Sequence, residues 1–391
     1  MIDQWNIFEK IGLGEDSHIQ FKENVFDSKS LALEMVAFSN ADGGDIVIGV
    51  SDAGAVVGLS GADVQRLNQL ISNVANENVR PPVYPLVELL DLDSKSVLIL
   101  RVRKGSNKPY CTSGGLYVTK SGADKRKMSP DELKRLFAES GNIFADESPV
   151  SGSDDTDFNV EYFYQFLEKK DKNVYIDLKS QRLELRTILS NLDLMRGEQL
   201  TLAGNLLFGL NPQRFCKSFY VQCVHFAGNT IDVDQFIGKE TVSGSLYEMY
   251  KQALNFMKSN LRRVQGNESF NSPGILEIPE ESLIEATINA LIHRDYYIQA
   301  TVKIFIFQDR LEIISPGRLP NSLTVEKIKN GISIHRNPIL NSLGQYILPY
   351  SGLGSGIRRI MRYSSTVLFV NDVEKEEFKC VFPRQSLKNE G

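Results

Sequence analysis

Apolar positions first recur at helical spacing between residues 29 and 40, through Leu31, Leu33, Met35, Val36 and Phe38. Asp42-Gly43-Gly44 breaks that pattern as a turn. An unbroken apolar run from Ile46 to Val50 then reads as a strand. Asp52-Ala53-Gly54 reads as a hairpin turn leading to a second strand at Val56-Val57-Gly58. Residues 62–78 predict a helix, and residues 85–103 predict two strands around a polar turn at 91–96. Ser129-Pro130-Asp131-Glu132 opens another helix, with proline at the first position, where a missing N–H costs nothing.

Periodicity lapses over residues 145–157, which hold five acids and no base among serine, glycine and proline. That composition predicts a linker. Beyond it, residues 158–190 read as two helices and residues 201–228 as strand-like runs such as LLFGL and FYVQCVHF. Long helices are predicted over 243–265 and 281–293, and strands over 301–307 and 311–315. A Ser-Pro-Gly turn, a glycine-rich loop near 352–356 and a terminal hairpin (VLFV…EFKCVFP) complete the pattern. No internal repeat or low-complexity segment interrupts it. The class is α+β, divided into residues 1–144, an acidic linker at 145–157, a middle region at 158–275 and a last module at 276–391.

The 391 residues are 42% hydrophobic and 24% charged, which excludes collagen, a disordered tail and a disulfide-dense scaffold. Cys111, Cys216, Cys223 and Cys380 fit no common zinc spacing and read as small buried groups in a reducing compartment. The start, MIDQWNIFEK, has no apolar stretch of the secretory type, and IVIGV and VLIL are too short to span a bilayer. A cytoplasmic protein with no membrane partner is expected.

Net charge is −5, so overall charge does not point to nucleic acid. Residues 101–135 differ from the rest. Arg101, Arg103, Lys104, Lys108, Lys120, Lys125, Arg126, Lys127, Lys134 and Arg135 stand there against three acids, with Tyr110 and Tyr117 interleaved. Such a surface can hold phosphates without reading sequence, and tyrosines can stack on unpaired bases. The alternative is a solvated strand-and-loop face.

Glu285 and Asn289 lie four apart and share one face of their helix. A carboxylate there can take a proton from water, and a neighbouring amide oxygen can complete the shell of a phosphate-bound Mg²⁺. Gly352-Leu353-Gly354-Ser355-Gly356 precedes a helix carrying Arg358 and Arg359. Glycines at such a start let backbone N–H groups approach a phosphate. The bland alternatives are a solvated helix face and a flexible turn. No G-x-x-x-x-G-K-[ST] loop is present, which argues against a P-loop motor.

The order of these pieces resembles the GHKL-like (Bergerat-type) ATPase fold shared by gyrase, gyrase-type chaperones, histidine kinases and mismatch-repair proteins. Residues 276–363 resemble a divergent branch of it, through Asn289-Ala290, His293-Arg294-Asp295-Tyr296, Ser315-Pro316-Gly317 and His335-Arg336-Asn337-Pro338. The resemblance implies a Bergerat-type α/β sandwich that binds ATP with Mg²⁺. Glu285 would be the general base and Asn289 the metal ligand. Asp295, Gly317, Gly352, Gly354 and Gly356 would lie around the nucleotide. In the well-studied members an Asp in the first glycine loop reads the adenine amino group; Ser315 occupies that place here.

Residues 15–22, 37–44 and 48–54 resemble a Schlafen/AlbA-like α/β domain, often joined to that ATPase-like module in bacterial transcriptional regulators. Residues 201–212 also resemble that two-module family. The resemblance implies a DNA or RNA partner, held by Arg101, Arg103, Lys104, Lys120, Lys125, Arg126 and Lys127, and a homodimer. Some Schlafen-type domains cut RNA with three acids and Mn²⁺ or Mg²⁺. The matching positions are Glu15, Gln20 and Asp52, where Gln20 is a neutral, weaker ligand and Asp16 or Glu23 could substitute. Three readings follow: a nucleic-acid-binding regulator with an ATP/Mg²⁺ module, a metal-dependent endoribonuclease, or a non-catalytic dimerisation or partner-binding protein.

Overall fold

The computed structural model describes residues 4–92, 94–140, 143–231, 235–264, 274–320, 323–349 and 354–384. The chain is α+β and divides into two compact units between Ile143 and Phe144. The first unit runs α1 (Gln4–Leu13), β1 (Ile19–Lys22), α2 (Ser28–Asn40), β2 (Gly43–Ile48), α3 (Gly61–Asn73), β3 (Val79–Arg80), β4 (Leu86–Leu92), β5 (Lys95–Arg103), β6 (Cys111–Thr112), β7 (Val118–Ser121), β8 (Asp124–Lys127) and α4 (Pro130–Glu139). Its main sheet has the order β1-β2-β5-β4, with β1 parallel to β2 and the other pairs antiparallel.

The central strands are covered on both faces. Ile46, Ile48, Leu98 and Leu100 pack with Leu31, Met35 and Phe38 of α2. Val47, Val97 and Ile99 pack with Ile7 and Ile11 of α1. Burial on both sides is why this stretch reads as a continuous apolar run. Asp27 starts α2 by accepting the N–H groups of Lys29 and Ser30. Gly43 turns the chain with φ +83°; a Cβ there would fall 2.8 Å from the Val102 carbonyl. The expected strand at 56–58 is only a single bridge, Val50 to Val56.

The second unit contains α5 (Val160–Lys170), α6 (Lys172–Lys179), α7 (Leu185–Asn191), β9 (Met195–Arg196), β10 (Gln199–Leu200), α8 (Leu202–Phe208), β11 (Val221–Phe226), β12 (Phe236–Val242), α9 (Leu246–Asn260), β13 (Arg263–Val264), β14 (Ile275–Leu276), α10 (Glu280–Ile292), β15 (Val302–Ile306), β16 (Arg310–Pro316), α11 (Val325–Lys329), α12 (Pro338–Gly344), α13 (Gly356–Tyr363), β17 (Leu368–Asp372) and β18 (Glu377–Pro383). Six strands form one sheet, β12-β11-β15-β16-β18-β17. Only β11 and β15 run parallel in it. Helices α9 and α10 bury Met249, Ala253, Leu283 and Ala286 in the core that includes Cys223, Ile304 and Ile313.

Three expectations need correction. Residues 202–208 form a helix rather than a strand. Thr201 caps it by accepting the Gly204 N–H, and every residue from Leu202 to Phe208 is buried, which erases any polar face. Residues 158–190 lie in three helices rather than two. The acidic stretch 145–157 is not a free linker. Asp146 is fully buried, and its Oδ2 accepts the N–H groups of Ile339 (2.8 Å) and Leu340 (3.0 Å) in the first turn of α12. Among the described residues, no helix is long and apolar enough to cross a membrane.

Candidate nucleotide pocket and nucleic-acid surface

Helix α10 brings Glu285, Asn289 and its C-terminal neighbour His293 to successive turns of one face. Helix α13 begins against the first two. A Cβ on Gly356 would lie 2.7 Å from Glu285 Oε2 and 2.9 Å from Asn289 Nδ2, so only glycine fits without displacement. Arg359, one turn into α13, places Nη1 2.6 Å from Glu285 Oε1. Glu285 is 1% exposed. Burial raises its carboxyl above the usual range, and Arg359 pulls it back down. Asn289 Nδ2 is buried without a hydrogen-bond partner. Gly354 adopts φ +67°, and its missing Cβ leaves room for Ser333 Oγ. Gly352 lies outside the described residues.

A half-open cavity of about 130 Å³ lies beside this pair. Its walls come from α10, β16, β17, β18, α13 and residues 328–336, and most of them are apolar. Ser315 lies at the end of β16, where its hydroxyl donates to the Ala290 carbonyl (3.0 Å). His293 and His335 stack on the same side, with ring centroids 6.0 Å apart and planes within 25°. Burial pushes His293 down to about 4, helped by His335 and Arg336, and it also lowers His335. Both rings are neutral at pH 7.

The residues between the catalytic-type pair and the cavity are scaffolding. Asn337 Nδ2 donates to the carbonyls of Ile292 (2.8 Å) and Arg294 (2.9 Å). Arg294 is 2% exposed; it donates to Ala300 O (2.6 Å) and lies over the rings of Phe219 and Tyr296. Asp295 is buried: its N–H donates to Pro316 O, and its Oδ1 accepts the Tyr297 N–H. Gly317, at φ +103°, has Asp295 Cβ only 2.5 Å from where its own Cβ would be. Asp295 and Gly317 therefore shape the turn after β16. Asp295 is not among the residues lining the cavity.

In the first unit, Glu15 Oε1 accepts from Gln20 Nε2 (2.5 Å) and from the Phe21 N–H (2.7 Å). Gln20 Oε1 in turn accepts from Lys120 Nζ (2.8 Å). Lys120 is 9% exposed, donates also to Ala123 O (2.6 Å) and sits 4.9 Å above the Phe38 ring. Asp52 is exposed on the turn at 51–54, and Asp16 caps the entry to β1 by accepting the N–H groups of His18 and Ile19. Among the described residues, no three His, Cys, Asp or Glu side chains converge as a metal site. Gln20, the middle position of the expected set, is thus held between the Glu15 carboxylate and the Lys120 ammonium group.

The basic surface is also smaller than its residue count. Arg101 is bidentate to Asp45 (2.7 and 2.9 Å), Lys104 pairs with Asp42 (2.8 Å) and Arg126 is bidentate to Glu132 (2.6 and 2.8 Å). Lys125 pairs with Glu34, and Lys120 is buried. Arg103 and Lys127 are exposed, with no side-chain partner among the described residues. Glu34, the partner of Lys125, is 1% exposed, and sequence reasoning passed it over. Its signal was an acid between Leu33 and Met35 in an otherwise apolar helix.

The fold is thus a two-unit α+β chain with a buried carboxylate–carboxamide pair beside a half-open pocket. Residues 15–129 match the family described as Schlafen, AlbA_2. Residues 299–376 match the family described as "Putative ATP-dependent DNA helicase recG C-terminal". The chain therefore carries a Schlafen/AlbA_2 domain followed by a RecG-like HATPase domain. Among solved structures, the DIP2311 protein of Corynebacterium diphtheriae is 18% identical, with a TM-score of 0.48, over 95% of this chain and 76% of that one. The N-terminal domain of a RecG-related protein from Nitrosomonas europaea is 24% identical, with a TM-score of 0.24, over 33% of this chain and 95% of that one. No curated protein sequence matches the chain.

Proposed function

We propose that the chain is a nucleic-acid-binding regulator whose C-terminal module binds ATP with Mg²⁺. The observation that carries this reading is the meeting of Glu285, Asn289 and Gly356, of which Asn289 and Gly356 line the cavity and Glu285 stands behind them. The residues fit such a group in three respects. Asn289 has a buried Nδ2 without a partner, a donor free for a phosphate oxygen, and its Oδ1 is the atom that would meet the metal. A glycine backbone starts the facing helix, as a phosphate site requires. The adjoining cavity is large enough for an aromatic ring. When bound, Mg²⁺ would neutralise charge on the triphosphate. Asn289 would be its protein ligand, Glu285 would hold or release a proton beside the terminal phosphate, and Gly354 and Gly356 would present backbone to the phosphates. Arg359 holds Glu285 in place and keeps it compensated.

The Schlafen/AlbA_2 family match supports nucleic acid as the partner of the first unit. Arg103 and Lys127 supply its free charge. A homodimer belongs to the same proposal and is read by light scattering with and without Mg·ATP. The main test is a calorimetric titration of the full chain with Mg·ATP, wild type beside Asn289→Ala. Saturable binding by the wild type alone upholds the reading. No binding by either protein overturns it and leaves the second unit as a partner-binding module.

A further inference from the structure

Among the described residues, no Asp or Glu lines the cavity. Near the end of β16 its polar lining is the Ser315 hydroxyl, the His293 and His335 imidazoles, and Arg318 and Arg336, of which Arg336 donates to the Arg318 carbonyl (2.8 Å). Ser315 commits its hydrogen to the Ala290 carbonyl and faces the cavity with lone pairs alone. His335 lines the cavity, and its buried Nδ1 has no partner. His293 stacks behind it and limits its rotation.

Resting on the ATP-site reading, we propose that the cavity receives the base of a purine nucleotide through His335 and accepts 6-amino and 6-oxo purines alike. A 6-amino group donates a hydrogen bond and a 6-oxo group accepts one. A neutral imidazole carries one donor and one acceptor nitrogen, and the proton can reside on either. Nδ1 of His335 thus meets adenine as an acceptor and hypoxanthine or guanine as a donor, with no change of charge. A carboxylate only accepts. It would face a 6-oxo group with two acceptors opposed, the kind of mismatch that costs a built site factors of 10⁴ or so. Burial keeps both imidazoles neutral at pH 7, which preserves the choice of tautomer.

The test is calorimetric titration of the full chain at pH 7.5 with Mg·ATP and with Mg·ITP, whose base differs at the 6-position. Wild type is compared with His335→Phe, which keeps a ring stacked on His293 but removes both nitrogens. The two nucleotides are expected to bind wild type within about threefold of one another, because one neutral hydrogen bond replaces another. His335→Phe is expected to weaken both by roughly tenfold, because it leaves the 6-substituent unpaired. Binding of ATP with ITP weaker by about 30-fold or more overturns the inference and leaves the ATP site standing. Unchanged affinities in His335→Phe, with an unchanged melting temperature, overturn it as well. Failure of both nucleotides to bind wild type removes the ATP reading itself.

Discussion

Replacing Asp146 by Asn isolates a single buried carboxyl that fixes one wall of the pocket. Its Oδ2 holds the N–H groups of Ile339 and Leu340, so it anchors the start of α12, which begins three residues after His335. Its Oδ1 is buried with no partner. Desolvation pushes the carboxyl from 3.8 up to about 7, against the pull of the two N–H donors. The folded chain therefore keeps this proton at pH values where the unfolded chain has lost it. The contribution to stability is complete below about pH 4 and disappears as pH rises toward 7. At 1.36 kcal/mol per pH unit, that window is worth about 4 kcal/mol, of which about 3 falls above pH 4.5. Asp146→Asn keeps an acceptor oxygen for both N–H groups and removes the titration. Hydrogen exchange of the peptide spanning residues 338–344, followed through a urea series, reads unfolding of the second unit specifically. Wild type and variant compared at each pH cancel all other titrations. The variant is expected to gain about 3 kcal/mol on wild type between pH 4.5 and pH 8. A difference that stays flat with pH would refute the argument, because Asp146 would then be ionised throughout. A difference that moves in favour of wild type as pH rises would refute it more strongly, since the carboxylate would then be stabilised by its two donors.

Other substitutions separate structural from ligand-facing roles. Gly356→Ala puts a methyl group 2.7 Å from Glu285 Oε2 and is expected to weaken Mg·ATP binding by about a hundredfold, on the scale of a 1 Å misplacement; titration calorimetry at unchanged melting temperature checks it. Arg359→Ala removes the cause that lowers the Glu285 carboxyl and leaves only the burial that raises it, so the titration of that carboxyl, followed by ¹³C NMR of labelled glutamate, should move to higher pH. Lys127→Ala should reduce the slope of log affinity against log salt for a single-stranded oligonucleotide by about 0.7, one phosphate contact. Lys120→Ala should instead destabilise the first unit by about 1–3 kcal/mol through the unsatisfied Gln20 and leave that slope unchanged in the protein that remains folded.

What the sequence made legible followed from local pattern. Helix α2, the double-sided strand β2, the β4–β5 pair and α10 all carry their period or their apolar run within about 15 residues. Helix α8 did not, because it is buried on every side and so shows no alternation to count. The acidic stretch 145–157 misled for a different reason. Its composition is that of a linker, yet Asp146 acts through partners 193 and 194 residues away, and composition contains no such distance. The basic stretch 101–135 failed in the same way. Asp45 neutralises Arg101 from 56 residues upstream, and Glu34 holds Lys125 from 91 residues upstream. A window of charge counts cations that a sheet has already paired.

The candidate site divides along a similar line. The most recognisable phrases, His-Arg-Asp-Tyr and His-Arg-Asn-Pro, have most of their polar side chains turned to main chain. Arg294, Arg336 and Asn337 all donate to backbone carbonyls, and Asp295 accepts a backbone N–H. Their specificity as motifs reports the loop geometry that closes the cavity. His293, His335 and Arg336 of the same two phrases also line the cavity itself. The proposed chemistry rests on a sparser set, Glu285, Asn289 and a glycine that lets one helix start on both of them. Those three residues are nearly invisible singly, since a glutamate four before an asparagine is common on helix faces. They acquire meaning because α13 packs its first residue against α10. A motif dense in charged letters can thus be scaffold, while the site is carried by a pair of ordinary residues and a missing side chain.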